Sequence, residues 1–170
     1  MPAKPGDILL VRTNHFVSRL IRFGQRGYGK PASEFNHCAV YVGEGRIVEA
    51  LSHGVQQTWA SKYPAKDVRI IDVQSRITGF QDRSSIEKTD FAMRSNECAF
   101  ALSCVGEEYG WITILCIALK VLFKGRLNFG VQGTSICSGL CARSLERLGY
   151  NFQPYDPAEI TPAYLYMALS

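Results

Sequence analysis

A thiol at the mouth of a helix, an imidazole on a strand and a carboxylate to hold the ring can together carry out acyl transfer. The chain has three histidines, His15, His37 and His53, and six cysteines, at 38, 98, 104, 116, 137 and 141. Residues 36–50, NHCAVYVGEGRIVEA, contain two apolar runs separated by Gly43-Glu44-Gly45, the pattern of a β-hairpin. Alternation along the first run sets His37, Ala39 and Tyr41 on one face and Cys38, Val40 and Val42 on the other. A three-residue loop over 43–45 pairs Val42 with Arg46, Tyr41 with Ile47 and Ala39 with Glu49, leaving His37 diagonal to Glu49 on a shared face. A two-residue loop at 44–45 would set Glu49 opposite Val40 and separate the pair. A lone strand histidine is commonly structural, but an apolar strand seldom carries an unpaired carboxylate, so Glu49 argues for a partnership. His53 sits where the strand gives way to Ser52 and Gly54, and His15 lies in a basic segment.

Among the thiols, Cys98, Cys104 and Cys116 fall within helical apolar stretches and Cys38 points away from His37. Cys137 follows Thr134-Ser135-Ile136 and opens a helix, where the positive end of the backbone dipole favours a thiolate and a nearby imidazolium favours it further. First-turn amides there are positioned for an oxyanion. Helical spacing puts Cys137, Cys141, Leu145 and Leu148 on one face, which makes Cys141 a core residue. A zinc site from Cys137, Cys141, His37 and Cys38 fits poorly, because C-x3-C on a helix is an unusual ligand spacing and Cys38 faces away from His37. A plain core helix with a buried cysteine at its start remains the alternative.

The elements that must hold these groups belong to one α+β domain spanning residues 1–170. At 170 residues, 46% hydrophobic and 20% charged, the chain supports one sizeable core and has neither a disordered nor a fibrous composition. Strands are expected at Asp7 to Arg12, in the two runs of 36–50, and near Asp67 to Val73. Asn14 caps a short helix carrying Phe16, Val17, Leu20 and Ile21, stopped at Gly24. Further helices are expected at 96–105, at Trp111 to Phe123, and from Cys137 to Leu148 with Gly149 as its stop. Thr161-Pro162 open a last one over 162–169. Strands gathered against a helix set give an α+β sandwich.

The net charge of +4 is unevenly placed: residues 1–30 hold Lys4, Arg12, Arg19, Arg22, Arg26 and Lys30 against Asp7 alone. Such a face is either simply solvated or drawn to an anionic polymer or lipid surface. No base-reading motif is present, which argues against nucleic acid. The longest apolar stretch, WITILCIALKVLF at 111–123, is interrupted by Lys120 and too short to span a bilayer, so no transmembrane segment is expected. The opening MPAKPGDILLVR does not read as a signal peptide. The expectation is synthesis in the cytoplasm, free buried thiols, and a non-Sec route to the periplasm or cell wall if the protein acts there.

The segments HCAVYVGEGRIVEA and ICSGLCARSLERLG resemble the two signature blocks of the NlpC-type cell-wall peptidases, papain-like cysteine hydrolases. In that superfamily a Cys-Ser-Gly-Leu block opens the nucleophile helix, and a third polar residue stands twelve positions after the strand histidine, as Glu49 does after His37. His37 precedes Cys137 by 100 residues, the reverse of the usual order, which resembles the circularly permuted branch of YiiX-like proteins, distantly similar to lecithin:retinol acyltransferase. GDILLVR at 6–12, EALSHGV at 49–55, VGEEYGW at 105–111 and ITPAYLYMAL at 160–169 are similar to that branch too.

The resemblance implies a small antiparallel sheet packed against helices, with Cys137 as nucleophile, His37 as general base and acid, and Glu49 orienting the imidazole. It places Tyr109 near the site, although farther along the chain from the cysteine than in unpermuted members. Ala39 stands where the usual strand has glycine. No metal or organic cofactor is implied. The implied substrate is an amide bond of a peptidoglycan stem peptide. The alternatives are an acyl-lipid substrate for a lipid-directed amidase, esterase or acyltransferase, with 111–123 lining an acyl pocket, and a non-catalytic binding domain of the same fold. Implied partners beyond substrate are a delivery machinery or an inhibitor protein.

Overall fold

Strand β2, His37–Gly43, lies in the middle of a five-stranded antiparallel sheet of order β4-β3-β2-β1-β5. The other strands are β1 (Ile8–Val11), β3 (Arg46–Leu51), β4 (Gly54–Trp59) and β5 (Val68–Ile71). The computed structural model describes residues 3–14, 16–73, 83–109 and 134–170. Four α-helices belong to these residues: α1 (Phe16–Gly24), α2 (Arg83–Ser103), α3 (Cys137–Glu146) and α4 (Pro162–Leu169). A short parallel pair joins β6 (Glu108–Tyr109) to β7 (Thr134–Ser135). The arrangement is α+β. The expected helix at Trp111 to Phe123 lies outside the described residues, as do His15 and Cys116.

The alternation of β1, β2 and β3 divides the sheet into two unlike faces. Ile8, Leu10, Cys38, Val40, Val48 and Ala50 form one buried cluster with Ala101 of α2, with Leu140, Cys141 and Leu145 of α3, and with Leu165 of α4. Removing Leu140 and Leu145 from water contributes about 1.5–3 kcal/mol each, which fixes α3 against β2. Leu9, Val11, Ala39 and Ile47 form a smaller cluster on the opposite face, covered by Tyr41, Ala60, Tyr63 and Val68.

The hairpin between β2 and β3 departs from the expected three-residue loop. Gly43 pairs with Arg46, so the turn is the two residues Glu44 and Gly45, at φ 52° and 74°, the left-handed pair that suits a tight hairpin. Yet Tyr41 still pairs with Ile47 and Val40 with Val48, because Val42 is an extra, bulged residue on β2. The bulge absorbs the one-residue slip that the shorter turn would impose, and Glu49 stays on the face of His37.

Other boundaries shift for identifiable reasons. Helix α2 begins at Arg83, well before the expected 96, although its first half lacks an apolar stripe and leaves Phe91 mostly exposed. It is held there by Arg94, which reaches Asp90 on its own helix, Asp7 at 3.0 Å and Asp72 at 3.1 Å. Strand β4, not expected from the sequence, is drawn into the sheet by full pairing with β3, from Arg46 opposite Trp59 to Leu51 opposite Gly54. Thr134-Ser135, expected only as a lead into the helix, form β7. The C-terminal helix matches its capping signal, with the Tyr164 amide donating to Thr161 Oγ1 at 3.2 Å.

Candidate active site

Cys137 is the first residue of α3. Its N-cap is Ile136, which makes no side-chain cap hydrogen bond, so the first-turn amides and the positive end of the helix are left uncapped beside Cys137. Helix α3 is anchored by Ser138 Oγ, which donates to the Ile160 carbonyl at 2.5 Å, and by Arg143, which pairs with Glu107 at 2.7 Å. Cys137 retains 7% of its surface, whereas Cys38 and Cys141 retain none.

The sulfur meets two successive residues of β2. Cys137 shares the buried cluster of Cys38 and Cys141, and its thiol is coupled electrostatically to the Cys38 thiol and the His37 ring. Side chains of neighbouring strand residues point to opposite faces, and one sulfur can meet both at the strand's end, where His37 is the first residue. His37 Nε2 donates to Glu49 Oε2 at 2.7 Å, and Nδ1 is the ring nitrogen this bond does not use.

Glu49 is fully buried, and an unpaired carboxylate in that position would be costly. It is enclosed by donors. Tyr63 OH donates to Oε2 at 2.6 Å, and Thr58 Oγ1 and Lys62 Nζ both hold Oε1. Thr58 comes from β4, while Lys62 and Tyr63 belong to the chain that folds back over the sheet after it. None of the three was singled out by sequence reasoning. Thr58 could have been found once β4 was recognised, since it alternates onto the same face as Gln56 opposite Glu49; Lys62 and Tyr63 carry no such periodic signal.

The electrostatics follow from these contacts. The hydrogen bond from Cys38 is the largest influence on Cys137; with the charge and hydrogen bond of His37 it outweighs burial and holds the thiol well below its usual range. Burial alone would lower the His37 pKa, but the Cys137 charge and hydrogen bond, followed by those of Glu49, raise it to about 10. Burial would raise Glu49, yet His37, then Lys62 and Thr58, lower it to about 2. Burial and the Glu49 hydrogen bond push the Tyr63 phenol far up, so it serves as a neutral donor. The three shifts run in the directions that favour thiolate, imidazolium and carboxylate.

The structure thus joins His37 to Glu49 by a hydrogen bond and sets Cys137 at the start of α3, electrostatically coupled to His37. Tyr109 is placed only through its backbone: in β6 it pairs with Ser135, two residues before Cys137. His53 is exposed in the β3–β4 turn, with Nδ1 against Ser52 Oγ, away from this chain. Cys141 is a core residue, as its helical spacing indicated. Among the described residues no group of three or more His, Cys, Asp and Glu side chains is arranged to hold a metal ion. Also among them, no helix is long and apolar enough to cross a membrane. No protein-family model matches the chain. No curated protein matches it either.

Proposed function

We propose that the protein is a cysteine hydrolase of permuted, NlpC-type papain-like architecture that cleaves an amide bond, in peptidoglycan stem peptides, through a thioacyl-enzyme. The observation that carries this reading is the Cys137–His37–Glu49 chain ending at the uncapped mouth of α3. The Cys137 thiolate attacks the carbonyl carbon, and the first-turn amides receive the developing oxyanion, an arrangement in which each donor is worth roughly 10²–10³ in rate. The His37 imidazolium gives its Nδ1 proton to the leaving amine. The neutral ring then takes a proton from water, which attacks the thioester and frees the acid. Glu49 holds the ring through Nε2 and stabilises its charged form. Tyr109 is carried as a substrate-side residue on the β6–β7 backbone pairing alone.

The substrate reading draws on charge. Arg12, Arg19, Arg26 and Lys30 are exposed, and the segment bearing them is tied to the residue before His37, since Asn36 Oδ1 accepts from the Thr13 amide at 2.8 Å. A cationic segment fastened next to the strand of His37 suits an anionic wall polymer. A second reading, a lipid-directed amidase, esterase or acyltransferase, is favoured by one feature of the same surface: Phe23 is 55% exposed with the Arg26 guanidinium over its ring, and Tyr28 is 43% exposed. Cations interleaved with aromatics suit lipid headgroups.

The experiment is incubation of the protein and of Cys137→Ala with muropeptides and, separately, with N-acyl lipids, followed by mass spectrometry. Release of stem-peptide fragments by the wild type alone supports the first reading, and release of acyl chains supports the second. No turnover of either, or equal turnover by the variant, contradicts both and leaves a non-catalytic domain.

A further inference from the structure

Cys38 has no covalent part in hydrolysis, yet it is fully buried in the same core cluster as the nucleophile and Cys141, which stand one turn apart on α3. Its thiol is coupled electrostatically to both, and it follows the base histidine directly in the chain. An aliphatic side chain would fill the same core position without placing a second sulfur against the first. Of these three residues Cys137 alone keeps any exposed surface, 7%, which makes it the one accessible to a small oxidant.

The geometry points to Cys137 and Cys38 as a modification site for hydroperoxides, in which the nucleophile is oxidised and then captured by Cys38 as a reversible disulfide. The Cys137 thiolate attacks one peroxide oxygen and the O–O bond breaks. The departing hydroxide takes the His37 proton and leaves as water, and Cys137 becomes a sulfenic acid. Cys38 then attacks that sulfur, the S–O bond breaks, and the Cys38 proton leaves with the hydroxide as a second water. Two thiols are oxidised by two electrons and one peroxide is reduced to two waters. Burial is the main reason Cys38 stays protonated beforehand, followed by its interactions with Cys137 and Cys141; oxidation of Cys137 removes the charge that is the smallest of these influences, and Cys38 gives up its proton as the S–O bond breaks. The disulfide silences the nucleophile and spares it the irreversible sulfinic and sulfonic acids. This inference rests on the same reactive sulfur as the proposed hydrolysis but on no substrate.

The test treats the purified protein with hydrogen peroxide, then alkylates it under denaturing conditions and digests it without reductant for peptide mapping. The expected result is a Cys38–Cys137 cross-linked peptide, an intact mass lower by two hydrogens, and recovery of Cys137 alkylation after dithiothreitol. In Cys38→Ala and Cys38→Val the same treatment carries Cys137 on to sulfinic acid that dithiothreitol does not reverse. Sulfinic acid on wild-type Cys137 with Cys38 still free, a Cys38–Cys141 bridge instead, or an unmodified Cys137 would each overturn the inference. The wild-type map is decisive even if a variant fails to fold. Because the readout is mass, a negative result leaves the hydrolytic reading standing, and failure to find a substrate leaves this one standing.

Discussion

His37 Nε2 and Glu49 Oε2 lie 2.7 Å apart, on neighbouring strands whose turn would separate them but for one bulged residue. With Glu44 and Gly45 both left-handed, the hairpin is two residues long, and an unbulged ladder would carry Glu49 to the helix-facing side. Val42 restores the register. The carboxylate therefore remains on the sheet face where Thr58, Lys62 and Tyr63 can enclose it.

Glu49→Gln keeps the shape of that acid and removes its charge, so the imidazolium loses its buried counter-ion. Muropeptide cleavage should fall by about 10²- to 10⁴-fold in kcat. Tyr63→Phe removes one of several donors to Glu49, a loss on the order of 1 kcal/mol, and should cost about tenfold or less. Steady-state kinetics on both variants check the ordering; an inactive Tyr63→Phe beside an active Glu49→Gln would reverse the roles assigned here.

Much of this site was legible because alternation along a strand is robust. The period of two placed His37 and Glu49 on a common face, and the dipole argument singled out Cys137 at a helix start, both from local sequence. The bulge was not legible, because it depends on Glu44 adopting a left-handed conformation that a non-glycine residue seldom takes. Cys38 was placed on the correct strand face, but its contact with Cys137 arises from how α3 packs on that face, a tertiary fact without local signature. The cage around Glu49 escaped notice for a similar reason: Lys62 and Tyr63 leave the sheet and return over it.

Protonation of His37 depends on its neighbour's charge. With the intact site its pKa is raised from 6.5 to about 10, so its contribution to stability is fully present below about 6.5 and is lost as pH rises through about 10. Cys137→Ser replaces the thiolate by a neutral hydroxyl. NMR titration of the His37 ring in that variant should show its midpoint falling by at least about one pH unit, equivalent to about 1.4 kcal/mol. An unchanged midpoint would mean that the sulfur carries no charge in the wild type.

Glu97 is fully buried and, among the described residues, neither carboxylate oxygen has a hydrogen-bond partner. Its Oε2 sits where Gly6 has no side chain; a Cβ there would come within 2.6 Å. Burial raises its pKa from 4.5 to about 8, with Arg94 opposing and Asp7 adding. An acid whose folded pKa is raised stabilises the fold most below its unfolded value, and that contribution disappears as pH rises from about 4.5 to about 8. Chemical denaturation across this range should show wild-type stability declining relative to Glu97→Gln, by on the order of 1 kcal/mol per pH unit. Parallel curves would contradict a neutral, buried Glu97.

The central claim is that Cys137 rests as a thiolate against the His37 imidazolium. The most direct measurement is the alkylation rate of each cysteine by iodoacetamide as a function of pH, read by peptide mass spectrometry in the wild type and in His37→Ala. Cys137 should label first, with a midpoint well below the ordinary thiol value of about 8.5, and loss of His37 should move that midpoint upward. A Cys137 that labels with an ordinary midpoint, no faster than the other thiols and unaffected by His37→Ala, would contradict it.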